Sequence, residues 1–210
     1  MIGIIDYGMG NLNSVAKAVE QVGAQSRFVR LPGELDSVDK IILPGVGAFE
    51  DAMRFLNASG IVDPLLEKIR SGVPFLGICL GMQMLFERSF ENGVFSGLGL
   101  FAGDVVRFDF SQTMRDSAGE KLSIPHMGWN QVSIEQPHHP FWRGVEPSTY
   151  FYFVHSYHVL PTDSTCVASY TEYGYPFCSA VCRDNVMATQ FHPEKSQADG
   201  LKLLRNFATF

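Results

Sequence analysis

The stretch Gly77-Ile78-Cys79-Leu80-Gly81-Met82-Gln83 places one cysteine between two glycines. The apolar run 73–76 predicts a buried strand before it, and residues 82–87 predict a helix after it. A nucleophile at a tight strand-to-helix turn stands above the edge of a sheet, and glycines let neighbouring backbone pass close to it. The free N–H groups of the helix would favour a thiolate. The stretch therefore predicts a nucleophile elbow, although a lone cysteine is more often a core residue.

Strands and helices alternate through the first half of the chain. Short apolar runs predict strands at 2–6, 26–29 and 39–43. Helical spacing of apolar residues predicts helices at 12–22, 48–57 and 61–71. Alternation with short connections is typical of an α/β fold with a parallel sheet, whose sites lie beyond the carboxyl ends of the strands. The turn after Asp6, the Pro44–Gly47 loop and the Cys79 turn meet that description.

Short β-like runs dominate the second half. They cover residues 99–101, 104–108, 131–134, 150–154, 166–170, 177–182 and 185–191. The polar segment 111–120 predicts a loop or hairpin tip. Residues 196–210 predict a closing amphipathic helix, for which Ser196 is the expected N-cap.

Composition narrows the function classes. The chain has 210 residues, of which 46% are hydrophobic and 18% charged, and its formal net charge is −6. The negative charge argues against nucleic acid or an anionic membrane surface as the main partner. The sequence contains no apolar run near the roughly 20 residues of a membrane span, and its start does not resemble a signal peptide. We therefore expect a cytoplasmic protein.

Four cysteines in a reducing compartment predict free thiols. Cys178 and Cys182 lie four apart in a predicted strand, so they should share one face as small buried hydrophobic residues. No second cysteine or histidine pair has the spacing of a zinc site. We expect neither a metal nor a cofactor.

A thiol nucleophile needs a base and a group that orients the base. His192 follows the predicted strand 186–191, and Pro193 restricts it to an extended conformation. Glu194 then projects to the same side and can accept the Nδ1–H of His192. Glu194 taken alone would be read as half of a surface ion pair. Of the other histidines, His138 and His139 are expected in solvent, whereas His126, His155 and His158 lie in longer distinctive stretches.

The elbow together with Gln190-Phe191-His192-Pro193-Glu194 resembles the class I (triad) glutamine amidotransferases. More narrowly, the chain resembles the glutaminase subunits of imidazole glycerol phosphate synthases, which act in histidine biosynthesis. The narrower resemblance rests on the elbow and on the blocks 6–12, 43–49, 125–130 and 152–157. It implies a flavodoxin-like, mostly parallel central sheet with helices on both faces and added β-hairpins in the second half. It also implies one amidotransferase domain over residues 1–210.

The resemblance implies a role for each site residue. The Cys79 thiolate attacks the amide carbon of glutamine, His192 transfers the proton and Glu194 orients His192. The oxyanion donors would be the backbone N–H of Leu80 and one from Val46 or Gly47 in the Pro44–Gly47 loop. The substrate contacts would come from Gly47, Gln83, Ser156 and Tyr157. Without the resemblance, Gln83 would be read as an exposed helix residue.

The implied partner is a (β/α)8-barrel cyclase. It would receive the ammonia and form imidazole glycerol phosphate and an aminoimidazole carboxamide ribotide. The docking face would include Asn11, Trp129, Tyr152 and Lys195. Trp129 is equally typical of core packing, and Lys195 of an ordinary charged surface. Because ungated hydrolysis wastes glutamine, we expect low activity from the isolated subunit.

Three other functions remain open at this point. The first is a paralogous subunit that feeds ammonia to another synthase, for example one that amidinates a surface sugar. The sequence departs from the family pattern in two places: Thr189 stands where an aliphatic residue is expected, and the stretch 108–123 is long. Neither touches the catalytic residues, so the partner is less determined than the chemistry. The second is a flavodoxin-like cysteine hydrolase or peptidase. The third, a binding module with a vestigial site, is disfavoured by the complete set of Cys79, His192 and Glu194.

Overall fold

The computed structural model describes residues 1–110, 119 and 121–210. The segment 111–120, predicted as a loop or hairpin tip, lies outside the described residues except for Gly119. The helices are α1 (Leu12–Gln21), α2 (Phe49–Ala58), α3 (Val62–Arg70), α4 (Leu80–Gln83) and α5 (Gln197–Ala208). None of these described helices combines the length and the apolar character needed to cross a bilayer.

The described strands are spread along the whole chain. In the first half they are β1 (Ile2–Ile5), β2 (Ser26–Val29), β3 (Lys40–Gly45), β4 (Phe75–Cys79), β5 (Phe86–Ser89), β6 (Phe95–Ser96) and β7 (Phe101–Arg107). In the second half they are β8 (His126–Gln131), β9 (Ser133–Ile134), β10 (Tyr150–His155), β11 (Tyr157–Pro161), β12 (Val167–Glu172), β13 (Pro176–Arg183) and β14 (Val186–Thr189).

Five parallel strands form one side of the main sheet, in the order β2-β1-β3-β4-β14, and β2 is the edge strand. The sheet continues through β13, β11 and β7, which pair antiparallel, and β5 then lies parallel to β7. β8 and β10 form a separate antiparallel ribbon. The predicted α/β class, a parallel sheet with antiparallel additions, is confirmed.

Apolar side chains alternate between the two faces of the parallel strands, as the two-residue period of a strand requires. Ile41 and Phe75 pack on the face that is covered by α2 and α3. Ile42 and Leu76 pack on the opposite face, together with the apolar stripes of α1 and α5. The central strands are therefore buried on both sides, which explains their continuous apolar sequence.

The predicted helix at 82–87 is wrong in its extent. The helix ends at Gln83, and the chain returns to the sheet as β5 from Phe86. Phe86 is fully buried and its ring stacks on Phe101, with 5.6 Å between the centroids. Pairing with β7 therefore prevails over the helical pattern of this apolar run.

The expectation that Cys178 and Cys182 share a face is also wrong. Ser169 pairs with Ala180 and the next residue, Tyr170, pairs with Cys178, so Ser179 is an extra residue in β13. This β-bulge reverses the alternation. Cys178 therefore packs on the side of α2 and α3, and Cys182 on the side of α1 and α5. All four cysteines are buried free thiols.

α4 crosses β3 so closely that Gly81 has no room for a side chain. A Cβ at Gly81 would lie 1.9 Å from the carbonyl oxygen of Leu43. Gly81→Ala should therefore lower the free energy of unfolding by about 3 kcal/mol or more. Urea denaturation measures it, with Gly33→Ala as the control because a Cβ at Gly33 would meet nothing within 4 Å. Equal stabilities of the two variants would contradict the crossing.

Candidate active site

Cys79 is the last residue of β4 and has the backbone of an elbow. Its φ of 56° and ψ of −109° lie in a region that residues with a side chain seldom adopt. The residue is 7% exposed, so the thiol reaches a cleft but is mostly enclosed. The sequence prediction of a strand-to-helix turn at Cys79 agrees with this geometry.

His192 and Glu194 form a buried pair beside the elbow. β14 pairs parallel with β4, so the chain that leaves β14 arrives at the same edge of the sheet as Cys79. Nδ1 of His192 donates to Oε1 of Glu194 at 2.7 Å, and the two side chains are 3% and 2% exposed. The surface-ion-pair interpretation of Glu194 is therefore excluded. The extended conformation predicted through Glu194 is wrong beyond His192, because Pro193–Lys195 form a 3-10 turn that returns the carboxylate to the imidazole. The backbone of His192 is held as well, because its N–H donates to the carbonyl of Tyr152 and its own carbonyl accepts from the hydroxyl of Ser196.

The charge state of His192 follows from its neighbours. Burial lowers the pKa of the imidazole, but the adjacent Cys79 thiolate and the Glu194 carboxylate raise it more, to about 10. Nε2 is buried and has no hydrogen-bond partner among the described residues. The site therefore stabilises an imidazolium beside the sulfur, with one nitrogen left for a reacting group.

A cleft of about 360 Å³ contains Cys79 and His192. Most of the residues that the sequence assigned to oxyanion stabilisation, substrate binding or the partner face reach it. These are Val46, Gly47, Leu80, Gln83, Ser156, Tyr157 and Lys195. Glu194 lies behind His192, while Asn11, Trp129 and Tyr152 are not part of the lining.

The Pro44–Gly47 loop, predicted to supply an oxyanion donor, is anchored by the buried side chain of Tyr7. The Tyr7 hydroxyl donates to the carbonyl of Pro44 at 3.1 Å, and burial raises the pKa of Tyr7. Gly47 has a φ of +92°, which favours glycine. A Cβ at Gly47 would also meet the Met9 side chain at 2.8 Å. At Gly47 the loop therefore presents backbone, and not a side chain, to the cleft.

Gln83 is buried, so its interpretation as an exposed helix residue is wrong. It is 5% exposed, and its Nε2 donates to the carbonyl of Tyr157 at 2.9 Å and to Oε1 of Gln190 at 3.1 Å. Nε2 of Gln190 in turn lies 3.7 Å from Sγ of Cys79. Sequence reasoning used Gln190 only as part of the histidine motif, and its place in the predicted strand 186–191 gave no further signal. In the structure, Gln190 directly follows the end of β14.

Glu91 is a cleft residue that sequence reasoning missed. Its Oε2 accepts the N–H of Phe49 at the start of α2, at 2.8 Å, and its side chain lines the cleft with Cys79 and His192. In the sequence it is one acidic residue of a polar stretch, so only the folded chain places this carboxylate near the sulfur.

The residues predicted for a partner face are accessible. Trp129 is 46% exposed, which excludes its core-packing interpretation. Its ring centroid lies 6.2 Å from that of Tyr152, its partner across the β8–β10 ribbon. Nζ of Lys195 lies 5.8 Å from the Tyr152 ring centroid. Asn11 is also exposed.

Sequence comparisons with known proteins agree with this geometry. The family described as glutamine amidotransferase class-I matches residues 3–209. The imidazole glycerol phosphate synthase subunit HisH of Syntrophotalea carbinolica is 53% identical over 207 residues, or 99% of this chain and 98% of that protein. The subunit of the same name from Geobacter sulfurreducens is 51% identical over 98% of this chain and 97% of its own length.

Solved structures share the fold. PurLQS from Thermotoga maritima superposes with a TM-score of 0.75 at 20% identity, covering 99% of this chain and 97% of its own. A crystal structure of a glutamine amidotransferase gives a TM-score of 0.72 at 19% identity, covering 100% and 99%.

Glu194→Gln should lower the pKa of His192, because it removes one of the charges that stabilise the imidazolium. In a Cys79→Ala background, we expect a fall of about one pH unit or more. Titration of ¹³C-labelled histidine rings by NMR measures the change. The pKa of His139, which burial lowers and which lies outside the cleft lining, is the internal control. An unchanged pKa of His192 would contradict its pairing with Glu194.

Proposed function

Since the chain belongs to the class-I glutamine amidotransferase family, we propose that it is the glutaminase subunit of an imidazole glycerol phosphate synthase. Relatives of that name, about half identical over the full length, support the assignment to histidine biosynthesis. The predicted family is thereby confirmed. The observation that carries the chemistry is one cleft that holds Cys79 and His192, with Glu194 on the far nitrogen of the imidazole. We take residues 1–210 as one amidotransferase domain.

The first half of the reaction is acyl transfer to sulfur. The Cys79 thiolate attacks the side-chain amide carbon of L-glutamine, and the carbonyl oxygen becomes an oxyanion. The backbone N–H groups of Leu80 and of Val46 or Gly47 stabilise this charge. The His192 imidazolium gives its Nε2 proton to the leaving nitrogen, so that the C–N bond breaks and ammonia departs.

The second half is hydrolysis of the thioester. His192, now neutral, removes a proton from water, and the resulting hydroxide attacks the thioester carbon. The same N–H groups stabilise the second oxyanion. Its collapse releases L-glutamate and restores the thiolate–imidazolium pair. Glu194 keeps Nδ1 protonated throughout, and therefore directs Nε2 toward the reacting atoms.

The polar groups of the cleft match an amino-acid substrate. Glu91 provides a carboxylate for the α-ammonium group of glutamine. Both N–H groups of the Gln83 amide are used within the protein, so its Oε1 is the atom free to accept from substrate. Gly47, Ser156 and Tyr157 complete the contacts with the amino-acid end.

Ammonia released into water would be protonated and lost, so the product needs a receiving enzyme. We propose that this enzyme is a (β/α)8-barrel cyclase that forms imidazole glycerol phosphate and aminoimidazole carboxamide ribotide. The proposed contact surface consists of three exposed residues, Trp129, Lys195 and Asn11, and the half-buried Tyr152. The two enzymes would meet in the cytoplasm, and neither a cofactor nor a metal takes part.

Cys79→Ala should abolish glutamate release by the complex with the cyclase, with a loss of at least about 10³-fold. Labelling with the glutamine analogue diazo-oxo-norleucine, followed by peptide mass spectrometry, should locate the label on Cys79. Cys182→Ala removes another buried thiol, which lies outside the cleft, and should keep the activity. A Cys79→Ala variant with the parent rate would overturn the assignment.

Trp129→Ala should weaken binding to the cyclase about 30-fold, since a large exposed aromatic residue is typical of an interface hot spot. Calorimetry on the purified subunits measures the change. Phe210→Ala is the matched control, because this aromatic residue is 38% exposed and contacts Lys40 at the start of β3, the end opposite the cleft. If the protein instead pulls down another synthase, the result would favour the alternative of a paralogous subunit that supplies ammonia to that synthase.

A further inference from the structure

Hydrogen bonds connect the Tyr157 carbonyl to the sulfur of Cys79 through two buried amides. A carbonyl oxygen only accepts, so Gln83 must direct its Nε2 toward Tyr157. The same Nε2 donates to Gln190, which therefore presents Oε1 to Gln83. Only Nε2 of Gln190 is then left for Cys79, 3.7 Å away. The orientation of the last amide thus follows from the first carbonyl.

A second branch fixes the same carbonyl from the other side. Nδ1 of His155 lies 2.7 Å from the Tyr157 oxygen, so it carries the proton and donates. Nε2 of His155 then accepts from Nδ1 of His126 at 3.0 Å, and Nε2 of His126 accepts from Nδ2 of Asn130 at 3.1 Å. Each of these three hydrogen bonds is donated in the direction of Tyr157, while the amide of Asn130 is held in place by a further bond from its Nδ2 to the carbonyl of Glu172.

Both histidines of this branch are neutral near pH 7. Burial lowers the pKa of His126 to about 4, and it lowers that of His155 far below the ordinary value. Each ring therefore has one donor and one acceptor, which is what a one-way chain requires. His155 is also excluded as a second base, since both of its nitrogens are engaged.

We propose that Gln190 is a positioning residue for Cys79, and that the chain from His126 through His155, Tyr157 and Gln83 holds its amide N–H toward the sulfur. This inference deepens the proposed function and rests on it. Gln190 is fully buried and does not line the cleft, so it approaches the sulfur from the protein side. An N–H donor there favours the thiolate and fixes its direction without adding a charge.

Gln190→Met tests the proposal, since it keeps the size of the side chain and removes the donor. The rate of Cys79 alkylation by iodoacetamide, read by peptide mass spectrometry, should fall about tenfold. In the complex with the cyclase, kcat should fall by about the same factor, while KM for glutamine changes less than about twofold because Gln190 does not touch the substrate. Parent values for alkylation and kcat would overturn the proposal.

Ser169→Ala is the matched control. Its hydroxyl shares a 2.9 Å hydrogen bond with Ser179, and Ser169, in β12, is as fully buried as Gln190. The variant loses one buried hydrogen bond between side chains. Ser179 bonds to Gln190 only through its backbone carbonyl, which this variant keeps, so the Gln190 amide still faces the sulfur. It should lower Tm comparably to Gln190→Met and leave the alkylation rate unchanged. An equal slowing in both variants would reduce the role of Gln190 to stability, and would overturn the proposal.

His155 variants test the chain even if Gln190→Met fails to fold. His155→Asn keeps a donor at the position of Nδ1, whereas His155→Gln places its amide at the position of Nε2 and leaves the Tyr157 carbonyl without it. Alkylation of Cys79 should be slow in His155→Gln and near the parent rate in His155→Asn. Equal alkylation rates in the two variants would overturn the proposed role of the hydrogen-bond chain.

The alkylation readout does not depend on glutamine. A parent complex that neither hydrolyses glutamine nor reacts with diazo-oxo-norleucine would refute the proposed function. The alkylation rates of the variants would still decide whether Gln190 positions the sulfur.

Discussion

The crossing of α4 over β3 determines where the sulfur stands. The backbone at Gly81 passes the Leu43 carbonyl at a distance that excludes even a methyl group. A second close approach, between Gly45 and the Cβ of Leu80, fixes the same turn. Between these contacts Cys79 adopts its strained backbone, at a cost on the order of 1–3 kcal/mol. The buried parallel strands on either side of β4 resist relaxation, so the strain persists and the thiol is directed into the cleft.

Polar groups at the site are buried in a way that an ordinary core avoids. Nε2 of His192 and Oε2 of Glu194 have no hydrogen-bond partner among the described residues. The neighbouring amides of Gln83 and Gln190 are, in contrast, engaged in a directed network. The unpaired nitrogen of His192 is the one that must be free to transfer a proton. The site therefore leaves the proton-transferring nitrogen of His192 available to the reacting group.

The two halves of the site are joined by one strand pairing. β14 lies more than a hundred residues after β4, yet the two pair in parallel and end at the same edge. The bulge at Ser179 lies in the neighbouring β13, and its carbonyl accepts the N–H of Gln190. Local sequence patterns predicted the parallel strands and the turn at Cys79, because apolar runs indicate burial and nearby glycines indicate a turn. They did not predict β5, the bulge or the strand that begins at His126, since those depend on pairing with distant strands.

The sequence by itself determined the elbow at Cys79, the extended backbone of His192 before Pro193 and the α/β class, because each follows from spacing within a few residues. Only the tertiary structure placed Glu91 in the cleft, turned Trp129 outward and directed the Gln190 amide to the sulfur. A side chain's partner, its exposure and the polarity of its hydrogen bonds depend on groups that meet only after folding. The short sequence motifs thus determine which residues form the site. The long-range register of the sheet determines where their side chains point.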